Sequence, residues 1–122
     1  MALHAKNLTR DRELMTQGRC ADRPWSRLRG LMGIKSLEDG QGLWIVPCNG
    51  IHSFGMRFPF DAVFLSRDLE VVALIEEMPP WRLGRIYRGA HSVIELPAGT
   101  IGATGTELGD RITLERRLDD TR

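Results

Sequence analysis

Pro47-Cys48-Asn49-Gly50-Ile51-His52-Ser53-Phe54-Gly55-Met56-Arg57-Phe58-Pro59-Phe60-Asp61-Ala62-Val63-Phe64-Leu65 gathers all four phenylalanines of the chain around four chemically capable side chains, Cys48, His52, Arg57 and Asp61. Its last residues, Ala62 to Leu65, form an apolar run that ends in the polar turn Ser66-Arg67-Asp68-Leu69 and meets a second apolar run, Val71 to Ile75. Two such runs across a short turn predict a β-hairpin. Both arms are apolar on both faces, which predicts that both are central in a sheet. Before the hairpin, Ile51 to Phe58 alternates as a strand does, and Leu43 to Val46 reads as a short strand closed by Pro47.

Outward from this centre the pattern stays strand-like. Leu3 to Leu8 and Leu14 to Cys20 read as strands flanking the turn Thr9-Arg10-Asp11-Arg12, and Ser92 to Leu96 and Arg111 to Leu118 read as closing strands. Asp22 is placed to cap one short helix with Pro24 in its first turn, where a missing N–H costs little. Trp25, Leu28, Leu31 and Met32 recur at helical spacing, and Gly33 is a natural stop. Ser36 to Gly40 is read as one further helical turn. Met78-Pro79-Pro80 ends the hairpin. Trp81 to Gly89 is expected to be an irregular crossover, Pro97 to Gly109 a run of tight turns with Gly109-Asp110 leading into the last strand, and Asp119 to Arg122 a frayed tail. The expectation is a mainly β (α+β) fold: a compact antiparallel β domain or small distorted barrel with one short helix in its N-terminal half.

At 122 residues the chain has the length of one domain, 1–122. Its 13 Gly and 6 Pro favour turns over long helices, and a net charge of +1 predicts no strong general attraction to nucleic acid or to anionic membranes. The N-terminal Met-Ala-Leu-His-Ala-Lys-Asn lacks an apolar run of signal-peptide length, and no run is long enough to span a bilayer, so a soluble, cytoplasmic protein is expected. Two cysteines, Cys20 and Cys48, are expected as free thiols without zinc spacing. Basic residues are nearly all arginine, for which codon bias is a better explanation than a functional use of bidentate guanidiniums.

If Ile51 to Phe58 is extended, His52, Phe54, Met56 and Phe58 share one face, with Ser53, Gly55 and Arg57 on the other. A lone histidine on an apolar face is more often a hydrogen-bonded core residue than a ligand. Cys48, His52 and Met56 share a parity and are soft or borderline ligands suited to copper(I) or zinc. The Asn49-Gly50 turn breaks that alignment, so no metal or other cofactor is expected. Cys48 with His52 also has the composition of a nucleophile and its base, but such a pair needs contact and an oxyanion hole. Buried cysteines are usually inert. Asp61 follows Phe58-Pro59-Phe60 and must find donors, either Arg57 or turn N–H groups, because a bare buried carboxylate is too costly. Trp81-Arg82-Leu83-Gly84-Arg85-Ile86-Tyr87-Arg88 interleaves aromatics with arginines. It has the composition of a single-strand-binding segment, although near-neutral charge makes nucleic acid an unfavoured partner.

Taken together, Pro47 to Asp61 closely resembles the signature of the domain of unknown function 192 family. Arg27-Leu28-Arg29-Gly30-Leu31-Met32-Gly33, Pro80-Trp81-Arg82, Val93-Ile94-Glu95-Leu96-Pro97-Ala98-Gly99 and Gly109-Asp110 fit that family in the same order, over roughly Ala21 to Leu114. The resemblance implies a small β-rich domain with no assigned activity. Related members often carry a signal or lipid-attachment segment, which this sequence does not show. The resemblance also moves weight from Cys48 and His52 to Met56, Arg57 and Asp61. The function expected is that of a non-catalytic binding or accessory module for a small molecule or peptide, with His52, Phe54, Met56, Arg57, Asp61, Trp81 and Arg82 lining the site. An enzyme using Cys48 and His52, or a soft-metal-binding protein, is the alternative.

Overall fold

A computed structural model describes residues 2–118; the expected tail at 119–122 lies outside the described residues. The elements are β1 (Ala2–Asn7), β2 (Arg12–Ala21), α1 (Pro24–Arg29), β3 (Gln41–Ile45), β4 (Phe60–Leu65), β5 (Val71–Met78), β6 (Ser92–Pro97), α2 (Thr100–Thr104) and β7 (Ile112–Arg117). The strands form one seven-stranded sheet in the order β5-β4-β6-β3-β2-β1-β7. Every pairing is antiparallel except β2 with β3, which are joined through α1. The fold is mainly β, as expected.

No ladder joins the outer strands β5 and β7, so the sheet is not closed as a barrel. They meet at one corner only. There Val71 N–H donates to Asp110 O at 2.8 Å, Ile112 N–H donates to Leu69 O at 2.9 Å, and Glu70 bridges Arg111.

Strand alternation explains the two cores. Phe60, Ala62, Phe64 and Val93 point to one face of β4 and β6, where they pack with Leu31, Leu43, Ile45, Ile51 and Met56. Val63, Leu65, Ile94 and Leu96 point to the other, against Leu3, Met15, Val71, Ile101 and Ile112. Every residue of β4 is buried. β5, expected to be central, is instead an edge strand: its run is apolar, but Val72 lies on the solvent face at 37% exposure.

Three further expectations are corrected. The segment 51–58 contains no strand, only an isolated bridge from His52 to Leu83. Helix α1 is capped by Arg23 and Ser26 rather than by Asp22, and it stops at Gly30 (φ 51°) rather than at Gly33. It buries none of its residues: Trp25 is 71% and Leu28 57% exposed, and only Leu31, just past the stop, enters the core. The span 36–40 is not helical, whereas the glycine-rich 97–109 stretch contains α2, which buries Ile101.

The corner where β5 meets β7 is fastened by a buried polar cluster. Asn7 Nδ2 donates to Asp110 Oδ2 (2.9 Å) and to Thr106 Oγ1 (3.1 Å), and Arg10 Nε donates to Asp110 Oδ2 (3.0 Å). Burial alone raises the Asp110 pKa, but Arg10, Asn7 and the Glu107 N–H outweigh it and hold the carboxyl at about 2. A depressed carboxyl stabilises the fold above its unfolded value near 4, and that contribution disappears as pH falls through 2. The melting temperature is therefore expected to fall between pH 4 and 2. An Asp110→Asn variant, less stable at pH 6, should lack that acid-side loss in a calorimetric pH series.

Candidate functional site

Two segments without strand structure, 48–56 and 79–87, lie side by side and carry most of the expected site. Main-chain bonds zip them together: Tyr87 N–H to Asn49 O (2.8 Å), Gly84 N–H to Ile51 O (2.9 Å), Ser53 N–H to Arg82 O (2.8 Å) and Trp81 N–H to Ser53 O (2.9 Å). The buried Ser53 hydroxyl adds a bond to Pro79 O and accepts one from Arg82 N–H. The approach is close enough to demand glycine twice. A Cβ on Gly84 would stand 2.8 Å from Ile51 O, and one on Gly50 3.2 Å from Arg85 O. The same closeness explains why 51–58 reads as a strand without being one: its partner is an irregular segment, and its buried residues are Ile51, Ser53 and Met56 rather than one alternating face.

The expected site residues separate into two groups. Met56 (4% exposed) and Asp61 (0%) are interior residues. Asp61 accepts from Glu77 N–H (2.9 Å) and Ile101 N–H (2.8 Å), not from Arg57, which makes no ion pair among the described residues. Glu77 sits at positive φ (51°) where the β4–β5 register shifts between Phe60 and Ala62, so the carboxylate fills a bulge that the ladder leaves unsatisfied. An Arg57–Asp61 pair orienting a ligand is not formed.

His52, Phe54, Trp81, Arg57 and Arg82 are surface groups. The His52 and Phe54 rings stack with centroids 5.3 Å apart, and the Phe54 and Trp81 centroids are 6.4 Å apart. His52 is fixed from both sides: Nδ1 accepts from Phe54 N–H (3.1 Å), which leaves Nε2 to donate to Leu28 O (3.2 Å). Cys48 Sγ donates to Gly50 O (3.0 Å), and burial pushes its thiol pKa up. Neither member of the pair bonds the other, so the arrangement of an activated thiol is not made. The alignment of Cys48, His52 and Met56 for a soft metal is also not made, because the chain bends at Asn49 and Met56 turns into the core.

Two features escaped the sequence reading. First, Trp25, Leu28 and Met32 line an apolar hollow of about 340 Å³, and Met32 lies against Gly55, the neighbour of Phe54 in the chain. Second, a cleft of about 620 Å³ opens between α1 and the 47–52 segment, lined by Arg27, Cys48, His52, Arg67 and His91 among others. Behind it lies a recess of about 40 Å³ that shares Arg27, Cys48 and His52 and has the Glu95 carboxyl in its wall. Glu95 is 2% exposed, and burial raises its pKa to about 8. The sequence did hold a signal for it, a carboxylate inside the apolar run Val93-Ile94-Glu95-Leu96.

No helix among the described residues is long and apolar enough to cross a membrane. A crystal structure of a protein of unknown function from Novosphingobium aromaticivorans is similar in fold (TM-score 0.79, 18% identity, 91% of this chain and 82% of that one). So is one of a putative transcription regulator from Sinorhizobium meliloti (TM-score 0.80, 21% identity, 92% of this chain and 91% of that one). A UPF0127 protein of Pyrococcus furiosus is 32% identical over 117 residues, covering 92% of this chain and 98% of the relative. The model of the DUF192 family, described as an uncharacterized ACR, matches residues 6–114, extending upstream through β2 to the last two residues of β1 the resemblance that the motifs carry. With that match and that relative, the chain belongs to the DUF192 family, whose activity is unassigned.

Proposed function

We propose that this protein is a non-catalytic binding module that docks an acidic, amphipathic peptide segment of a partner on the strip formed by Trp25, Leu28, Met32, Phe54 and Trp81. The observation that carries this reading is the combination of exposed apolar groups with unpaired arginines around them. Trp25, Leu28, Phe54 and Trp81 are 71%, 57%, 42% and 64% exposed. Contiguous exposed apolar surface of this kind marks interaction sites. Arg29 borders the hollow, and Arg57 and Arg82 follow Met56 and Trp81 in the chain; none of the three makes an ion pair among the described residues. Unpaired guanidiniums beside aromatic anchors complement carboxylates flanking an apolar anchor. Phe54 and Trp81 rest on the zipped pair of segments, so that part of the strip gains little order on binding.

The test uses a fluorescent peptide with leucine and phenylalanine anchors spaced by glutamates, its lysine-for-glutamate counterpart and a single-stranded oligonucleotide. The acidic peptide is expected to bind and the basic one not to. Phe54→Ala and Trp81→Ala should each weaken binding at least tenfold, about 1.4 kcal/mol or more, without moving the melting temperature. Equal binding of both peptides, or oligonucleotide retention that falls steeply with salt, would overturn the reading.

A further inference from the structure

We propose that the recess behind the cleft is a carboxylate-binding site, in which a small aliphatic monocarboxylate accepts hydrogen bonds from Arg27 Nε–H and from the carboxyl of Glu95 while its hydrocarbon tail lies in the cleft. The argument begins with two atoms. Arg27 Nε and Glu95 Oε1 are both buried, both lack a hydrogen-bond partner among the described residues, and both belong to residues lining the same recess. Native interiors rarely leave such groups unmatched, and a bare buried donor or acceptor costs about 1–3 kcal/mol. Arg27 also anchors its guanidinium by donating from Nη1 to Pro47 O (3.1 Å), so its Nε–H is held in place.

The dimensions fit a carboxylate. About 10–15 Å³ of such space holds one water, so roughly 40 Å³ admits a group of three heavy atoms but no ring. Gly30 leaves the room: a Cβ there would stand 3.5 Å from Glu95 Oε1. Beyond the recess, the cleft presents Leu28, Pro24 and Ala90 to a short apolar tail, with Arg67 and His91 also in its lining. Among the described residues no carboxylate but Glu95 lines either space, so with Glu95 protonated an anion meets cationic and neutral groups there.

Electrostatics sets the protonation state of the complex. The groups facing Glu95 across the recess are Arg27 and Arg29 from the helix and Cys48 and His52 from the segment after β3. With Glu95 protonated, its O–H donates to the bound carboxylate and one negative charge faces Arg27. With Glu95 ionised, two carboxylates compete for one guanidinium. Binding is therefore linked to retention of the Glu95 proton and weakens once pH exceeds the value near 8 at which that proton leaves. The Cys48 thiol, itself pushed up by burial, contributes no charge below that point.

The experiment titrates the full chain with propionate and with propionamide by NMR at pH 6.5, then with propionate at pH 9.5. Propionate should saturate at pH 6.5 and bind at least tenfold more tightly than propionamide, and its affinity should fall at least tenfold at pH 9.5. Glu95→Gln donates an amide N–H at any pH and should hold the two propionate affinities within about threefold of each other. Arg27→Lys, which lacks Nε, should lose at least tenfold. No saturation by propionate in the folded protein at pH 6.5, or equal affinity for acid and amide, would overturn the proposal without needing any variant. Phe54→Ala and Trp81→Ala should leave propionate binding unchanged, so this site and the peptide strip stand or fall separately.

Discussion

Asp61→Ala is expected to destabilise the fold by about 3–5 kcal/mol, lowering the melting temperature by roughly 15 °C, while Arg57→Ala stays within about 0.5 kcal/mol of the parent. The carboxylate satisfies two backbone donors from distant parts of the chain, Glu77 in the β5 bulge and Ile101 in α2. Removing it strands both N–H groups and leaves a void beside a fully buried strand. Hydrogen bonds to a charged acceptor are worth about 1.5–3 kcal/mol each, so two of them account for the loss. Asp61→Asn should recover only part of it, because the amide can offer a carbonyl to one N–H but turns an N–H toward the other. Urea unfolding of the three variants checks the ranking. An Asp61→Ala midpoint indistinguishable from that of Arg57→Ala would show that the carboxylate is dispensable.

Glu95 produces the second large effect, and its sign is opposite to the usual carboxylate case. The folded state holds the proton up to about pH 8, whereas the unfolded chain releases it near 4.5. Between those values the native state binds more protons, so stability falls as pH rises, by about 1.4 kcal/mol per unit and about 5 kcal/mol in all. The contribution is complete below pH 4.5 and gone above 8. Glu95→Gln should flatten this slope and be several kcal/mol more stable than the parent at pH 8.5. At pH 4.5 it should be equal or slightly weaker, since its own amide is buried without a partner. Crossing stability curves are the expected result. Parallel curves would mean that Glu95 is solvated or paired when folded. With Asp110 removing stability on the acid side, the stability maximum should lie near pH 4–5.

The strands were legible because alternation and turn chemistry survive in short runs; each expected strand outside 51–58 forms to within a few residues. The position of β5 in the sheet was not legible. Val71 to Ile75 is apolar throughout, and nothing local distinguishes a strand with two neighbours from one whose outer edge is open. The 51–58 segment misled for a related reason. Its polar–apolar rhythm imitates a strand, but Ser53 is buried by hydrogen bonds to Pro79 and Arg82, contacts that no window of sequence contains. At α1 the helical spacing of Trp25, Leu28, Leu31 and Met32 is legible as an apolar stripe, but the spacing does not show that Trp25 and Leu28 face solvent while Leu31 enters the core. A stripe built to bury and a stripe built to dock look the same in one chain. Asp61 illustrates the converse: its need for donors was readable from its apolar setting, and backbone N–H groups met it. Glu95 was the strongest unused signal, since a carboxylate in the middle of a buried run needs a reason.

The zipped pair of segments under the surface strip separates the frame from what the frame displays. It is fastened by carbonyls, amides, one serine hydroxyl and two glycines, so its shape depends hardly at all on the side chains that it displays. Replacing Phe54 or Trp81 therefore alters what the surface displays while the main-chain bonds beneath it remain.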